Sequence, residues 1–114
     1  MEDCLFCRIA SGEMDTDFVY EDEQLIVFKD INPQAPVHLL IVPKKHISDL
    51  NNLQSADNDL IGHVYQIAKK MAAEHDIAES GYRLVSNCGE QGGQTVYHIH
   101  FHLLGGRELQ WPPG

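Results

Sequence analysis

Three hydrophobic rhythms run along the chain. Leu60, Val64, Ile67, Ala68 and Met71 recur at the three- and four-residue spacing of one helix face, which predicts one long helix with an apolar side. Ser55 has the chemistry of its N-cap, with Asp57 and Asp59 in the first turn where carboxylates complement the helix dipole. Near-continuous apolar runs form the second rhythm. Residues 18–20 and 25–28 flank the acidic Glu21-Asp22-Glu23 as a hairpin would. Residues 37–42, almost wholly apolar and stopped by Pro43, read as a central strand with His38 its one polar side chain, and residues 82–87 read as another strand. The third rhythm alternates with period two across residues 93–104: His98, His100 and His102 take one side, Ile99, Phe101 and Leu103 the other.

The connecting segments fill in the organisation. Residues 4–10 fit a short helical turn closed by Ser11-Gly12, and residues 29–36, with Pro33 and Pro36, form an ordered loop. Ser48 or Asn51 is placed to cap a short turn after Lys44-Lys45-His46. His63 and His75 have no patterned partner and read as ordinary helix histidines, His75 suiting the negative C-terminal end. Gly105-Gly106-Arg107 ends the last strand, and the tail beyond it is too short to bury Trp111 locally, so that ring is expected to pack on another surface, such as a second subunit's.

Composition narrows the class. A chain of 114 residues with 43% hydrophobic and 22% charged side chains suits one globular domain, residues 1–114. Seventeen acidic against 8 basic residues give a net charge of -9, a field that repels nucleic acid and anionic membranes. An anionic substrate therefore needs locally placed donors. No apolar run approaches the roughly 18 residues of a membrane span, and Met1-Glu2-Asp3 lacks the basic start of a secretion signal. Three cysteines do not make a disulfide framework, so a reducing cytoplasmic setting is expected.

The candidate chemistry begins with the histidine strand, which holds three of the seven histidines within five residues. At about 3.3 Å per residue, neighbours lie roughly 6.6 Å apart and the outer pair about 13 Å apart. Two neighbours can reach one small centre, but a regular strand cannot bring all three to it. This leaves a central His100 that acts and flankers that orient, polarise or bind something else. His38 is either a satisfied structural histidine or part of the same site. Residues 88–95 form a glycine-rich turn that enters a strand rather than a helix and lacks Gly-Lys-Ser/Thr, so it is not a P-loop. Beside the histidines it reads as a phosphate cradle, with Asn87, Gln94 and Thr95 as added donors. Cys4-x-x-Cys7 is half of a zinc site or simply two reduced thiols; a thioredoxin-like pair fits less well because no strand precedes it.

The stretch from Gln94 to Leu104 resembles the histidine triad motif, in which histidines alternate with hydrophobic residues. The resemblance extends through residues 28–38, through Val42-Pro43-Lys44-Lys45-His46-Ile47-Ser48, and from Gly105-Gly106-Arg107 to Trp111-Pro112-Pro113-Gly114. The last two segments are similar to the histidine triad nucleotide-binding (HINT) branch, the purine nucleoside phosphoramidases, rather than to the fragile histidine triad dinucleotide hydrolases. It implies an α+β fold, a five-stranded antiparallel sheet with one long and one short helix, and a homodimer through the long helix and a continuous sheet. It also implies a nucleotide site with Asp30 at the ribose, Phe6, Ile9, Phe28 and Ile31 around the purine, and Asn87, Gly93, Gln94, Thr95, His100 and His102 at the phosphate. The family's nucleophile maps to His100. Relatives often carry Ser where this chain has Thr95. Members with an N-terminal Cys-x-x-Cys hold zinc through residues that map to Cys4, Cys7, His46 and His98, a structural ion here, since no cofactor is needed for catalysis.

The resemblance thus points to attack by neutral His100 on phosphorus, expulsion of an amine and hydrolysis of the phosphohistidine by water. His98, His102 and the cradle would stabilise phosphoryl charge, with His38 orienting a neighbour, and Thr95 or a histidine would protonate the amine. Two other classes compete: dinucleoside polyphosphate hydrolysis or nucleotidyl transfer by the same nucleophile, and a non-catalytic nucleotide or zinc sensor acting through a protein partner. A metalloenzyme using the three histidines as ligands is the weakest fit.

Overall fold

A computed structural model describes residues 3–114; Met1 and Glu2, part of the acidic start read above, lie outside the described residues. Short helix α1 (Leu5–Ala10) precedes strands β1 (Phe18–Glu21), β2 (Leu25–Lys29) and β3 (Val37–Pro43). Long helix α2 (Asn58–Glu74), β4 (Tyr82–Val85) and β5 (Phe101–Gly105) complete the order. The strands form one antiparallel sheet ordered β1-β2-β3-β5-β4. This is the expected α+β fold, with the apolar β3 at its centre.

The period-two alternation sorts side chains onto two unlike faces. Leu25, Val27, Leu39, Ile41, Phe101 and Leu103 join Ile99 against Leu60, Val64, Ile67, Ala68 and Met71 of α2. Each aliphatic side chain fully buried there contributes about 1.5–3 kcal/mol of transfer free energy. On the reverse face Ile26, Phe28, Leu40 and Val42 pack with Phe6 and Ile9 of α1. That smaller cluster leaves the rest of the face to polar side chains.

The boundaries differ from the sequence reading in four places. β5 is regular only from Phe101, because the register Ile41↔Phe101 sets Ile99 opposite Pro43, which has no N–H to extend the ladder. A backbone bond from Ile99 N to Ile47 O, 2.6 Å, helps hold the segment before it. β4 ends at Val85, not Asn87. Ser55 starts a 3₁₀ turn, Ser55–Asp57, that leads into α2; its cap is Gln54, whose backbone N–H donates to Asp57 Oδ2 at 2.9 Å, while Lys45 Nζ reaches the same carboxylate. The earlier 3₁₀ turn, Leu50–Asn52, is capped by Asp49, and Ser48 only accepts from the Asn52 side chain.

His75 donates from Nδ1 to Met71 O at the end of α2 (2.9 Å), as its position implied. His63 does have a partner: Nε2 lies 2.6 Å from Asp22 Oδ2 and ties α2 to the β1–β2 hairpin. Burial pushes Asp22 upward, but bonds from His63, Gln24, Tyr20 and Leu25 outweigh it and hold the carboxyl well below its usual range. Arg83 on β4 clamps the tail through Gln110 O at 3.0 Å, and Trp111 beyond it is 80% exposed in the single chain. No helix among the described residues is long and apolar enough to cross a membrane.

Candidate active site

The histidine side of β5 and its preceding segment lies on the α1 face. Phe6 stands edge-on to His100 at 4.9 Å between centroids and to Phe28 at 5.9 Å, so α1 and β2 build an aromatic wall beside the central histidine. Ile9 is buried behind it. His100 and His102 are adjacent, 5.2 Å between centroids, whereas His98 turns away towards the N-terminal cysteines.

Backbone groups assign a tautomer to each ring. His100 Nδ1 donates to His98 O at 2.7 Å, so the proton sits on Nδ1 and Nε2 carries a lone pair. His98 Nε2 donates to Pro43 O at 2.7 Å, leaving the lone pair on Nδ1. His38 Nδ1 accepts from the Gln34 N–H (3.0 Å), so His38 Nε2 carries the proton and donates to His102 Nδ1 at 2.9 Å. His102 therefore bears its own proton on Nε2. The central ring presents a base and the outer one a donor.

Burial keeps these rings neutral. Desolvation lowers His38, His98 and His100 below the usual histidine range. It pushes His102 down to about 4, with His100 and His38 adding repulsion and Asp30 opposing it. Asp30 Oδ2 lies 3.4 Å from His38 Nε2 and 4.0 Å from His102 Nδ1. Its other oxygen accepts from Asn32 N at 2.8 Å, an Asx turn that shapes the start of the 30–36 loop.

The four residues mapped to zinc do converge. His46 and His98 Nδ1 are 3.1 Å apart, Cys7 Sγ lies 3.2 and 3.4 Å from them, and Cys4 Sγ lies 3.3 Å from His98 Nδ1. All four ligand atoms fall within 4.8 Å of one another. A tetrahedral zinc with ordinary bond lengths has ligand–ligand edges of about 3.3–3.8 Å. The His98 tautomer aims its bare nitrogen at the cysteines, as a ligand must. These side chains fit the ion.

The glycine turn is built differently from an open cradle. Gly92 N, Gly93 N and Gln94 N donate within the turn, to Gly89 O, Glu90 O and Gly89 O at 3.2, 3.1 and 3.0 Å. Gln94 is buried and braces the turn, accepting from Gly89 N at 2.9 Å and donating to Ser48 O and Val96 O at 2.8 and 3.1 Å. Gly93, at φ +89°, holds a conformation that suits glycine, with Asn87 Nδ2 3.8 Å from where a Cβ would stand. Thr95 is exposed and lines a cavity with Cys4, His46 and Tyr97. Ile31 is 100% exposed and touches no wall in the single chain. Sequence reasoning missed the backbone partners, Gln34 N–H and the Pro43 and His98 carbonyls, because no side-chain pattern marks them.

A family model described as "Scavenger mRNA decapping enzyme C-term binding" matches residues 3–110. The chain is 49% identical over 113 residues to an uncharacterised HIT-like protein of Synechococcus elongatus, covering 99% of this chain and 98% of that one. The chain belongs to the histidine triad (HIT) family. A HIT family hydrolase from Legionella pneumophila has the same fold at a TM-score of 0.96 and 53% identity, over 98% of this chain and 100% of that one. A histidine triad protein from Clostridium difficile matches at a TM-score of 0.93 and 42% identity, over 96% of each chain. In this HIT protein the alternating histidines are His98, which faces the cysteines, and His100 and His102, which lie side by side.

Proposed function

We propose that this HIT protein belongs to the HINT branch and cleaves the P–N bond of adenosine 5'-phosphoramidates through a nucleotidyl-His100 intermediate. The observation that carries the reading is the His100 tautomer. With Nδ1 spent on the His98 carbonyl at 2.7 Å and burial opposing protonation, Nε2 is a ready nucleophile at neutral pH. It attacks phosphorus in line, the P–N bond breaks, and the amine leaves with a proton. Water then opens the phosphohistidine to AMP. His102 Nε2–H donates to the phosphoryl oxygens as charge builds there. Phe6, Ile9 and Phe28 wall the purine, Asp30 holds the ribose, and Asn87 and Gly93 flank the phosphate.

Zinc is a structural ion in this reading, held by Cys4, Cys7, His46 and His98. It would supply no step of the reaction; bound, it fixes α1, and with it Phe6 and Ile9, to the triad segment. We assign the protein to the cytoplasm as a homodimer, in line with three free cysteines, an open β4 edge and exposed Tyr65 and Tyr82 on α2 and β4.

Turnover of an adenosine 5'-phosphoramidate by the wild type and by His100→Asn, both confirmed folded, with and without chelator, tests the reading. AMP release at saturating substrate that survives chelation and vanishes in the variant is expected. Binding of AMP without release from the phosphoramidate overturns it and favours a nucleotide sensor. Faster turnover of a phosphoanhydride favours dinucleoside polyphosphate hydrolysis or nucleotidyl transfer.

A further inference from the structure

The proton that His102 directs at the site is set by a backbone group, and that group is held by a side chain outside the triad. Gln34 donates its N–H to His38 Nδ1 at 3.0 Å and its side-chain Nε2 to Asn32 O at 3.0 Å, both within the 30–38 segment. Its carbonyl is taken by Arg107 Nε, also at 3.0 Å, from the residues just past β5, and Arg107 Nη1 donates to Glu108 O at 3.0 Å. The adjoining Gly106, at φ +91°, brings its backbone so near Pro36 that a Cβ would stand 2.9 Å from Pro36 Cβ. The loop bearing Asp30 and the Gln34 N–H is thus fastened at its far end by Gly106 and Arg107.

We infer that Arg107 is a positioning residue for the triad: by holding the Gln34 carbonyl, in the peptide next to the one that carries the Gln34 N–H, it keeps that N–H on His38 Nδ1, and so keeps the proton on His102 Nε2. If the Gln34 N–H drifts, only Asp30 Oδ2, 3.4 Å from His38 Nε2, still favours the proton there, and His38 Nδ1, with its donor gone, becomes able to take it. His38 Nε2 would then face His102 Nδ1 with a lone pair at 2.9 Å. Two lone pairs at that distance repel, and relief comes when His102 moves its proton to Nδ1. The outer histidine would then present a lone pair to a phosphoryl oxygen. The inversion moves protons within neutral rings and adds or removes none.

The inference rests on the proposed function for its consequence but not for its test. Histidine tautomers are read directly by long-range ¹H–¹⁵N correlation at pH 7.5 in the full chain, wild type against Arg107→Met and Arg107→Lys. The expected result is a His102 Nδ1 that changes from pyridine-like to pyrrole-like in Arg107→Met, with partial return in Arg107→Lys. With a phosphoramidate, kcat falls on the order of 10- to 100-fold, as for other groups that orient a functional histidine, while KM moves little. Arg83→Met removes a similar arginine-to-carbonyl clamp at the tail and is expected to leave His102 unchanged. A wild-type tautomer pattern in folded Arg107→Met, whatever its activity, overturns the inference. If Arg107→Met does not fold, Arg107→Lys is judged by the same spectrum. A tautomer change in a chain that turns over no phosphoramidate sustains the inference and rejects the function.

Discussion

The two faces of one sheet do opposite work. Against α2 the strands present Leu25, Val27, Leu39, Ile41 and Leu103, each no more than 1% exposed, to a helix of 17 residues. Against α1, a helix of 6 residues, alternate positions of the same central strands present His38 and His102. The first face is hydrocarbon throughout, so its tolerance to change is set by volume. The second keeps buried imidazoles in register by hydrogen bonds to backbone, so its tolerance is set by which atom carries a proton. The sheet gains its stability on one side and holds its imidazoles by hydrogen bonds on the other.

Breaking the polar face costs function first. His100→Asn can keep the bond to His98 O yet has no ring nitrogen to attack, and turnover is expected to fall on the order of 10⁴-fold or more with the melting temperature nearly unchanged. Breaking the apolar face costs stability first. Met71→Ala, at a fully buried position, is expected to destabilise by about 2–5 kcal/mol in urea titrations. The tautomers of His100 and His102 should survive it. A large change in the His102 tautomer there would erase the distinction between the faces.

Smaller effects sharpen the contrast. Chelation is expected to loosen α1, raising KM and lowering the melting temperature while kcat at saturation changes less, because Phe6 and Ile9 ride on that helix. Between pH 7.5 and 5, above the range where Asp22 and Asp57 take up protons, acid should act through the polar face. The folded state holds His38 and His102 below their unfolded value near 6.5, His102 at about 4. Between those values the unfolded chain binds protons that the native chain refuses. The stability these rings contribute is therefore full above pH 6.5 and lost as pH falls towards 4. Urea midpoints at pH 7.5 and 5 check this, and His102→Asn should flatten the slope. Smallest of all, Gln54→Ala, which keeps the backbone N–H on Asp57, and Ser55→Ala should each cost less than about 0.5 kcal/mol.

That last pair shows where sequence was legible. The spacing of Leu60, Val64, Ile67 and Met71 revealed α2, yet the chemistry of the cap pointed to Ser55 where the structure uses Gln54, a residue type not favoured there, because Asp57 accepts from its backbone N–H. The alternation of His98, Ile99, His100 and Phe101 correctly divided the faces, although regular pairing begins only at Phe101; Pro43, visible in the sequence, ends the ladder through a register the sequence does not display. Within the site, residue types named the imidazoles and thiols that converge. Tautomers were illegible, since they depend on the carbonyls of Pro43 and His98 and the N–H of Gln34, groups every residue carries. The glycine turn misled for the same reason: glycine announces freedom near an anion, but the N–H groups of Gly92, Gly93 and Gln94 are already engaged inside the turn.

The most direct test of the account is rapid quenching of the protein with an adenosine 5'-phosphoramidate under alkaline denaturing conditions, followed by intact and peptide mass spectrometry. The expected result is one nucleotidyl group on the chain, mapped to His100 and absent from His100→Asn. Turnover with the adduct on another residue, or with none formed at any quench time, would contradict it.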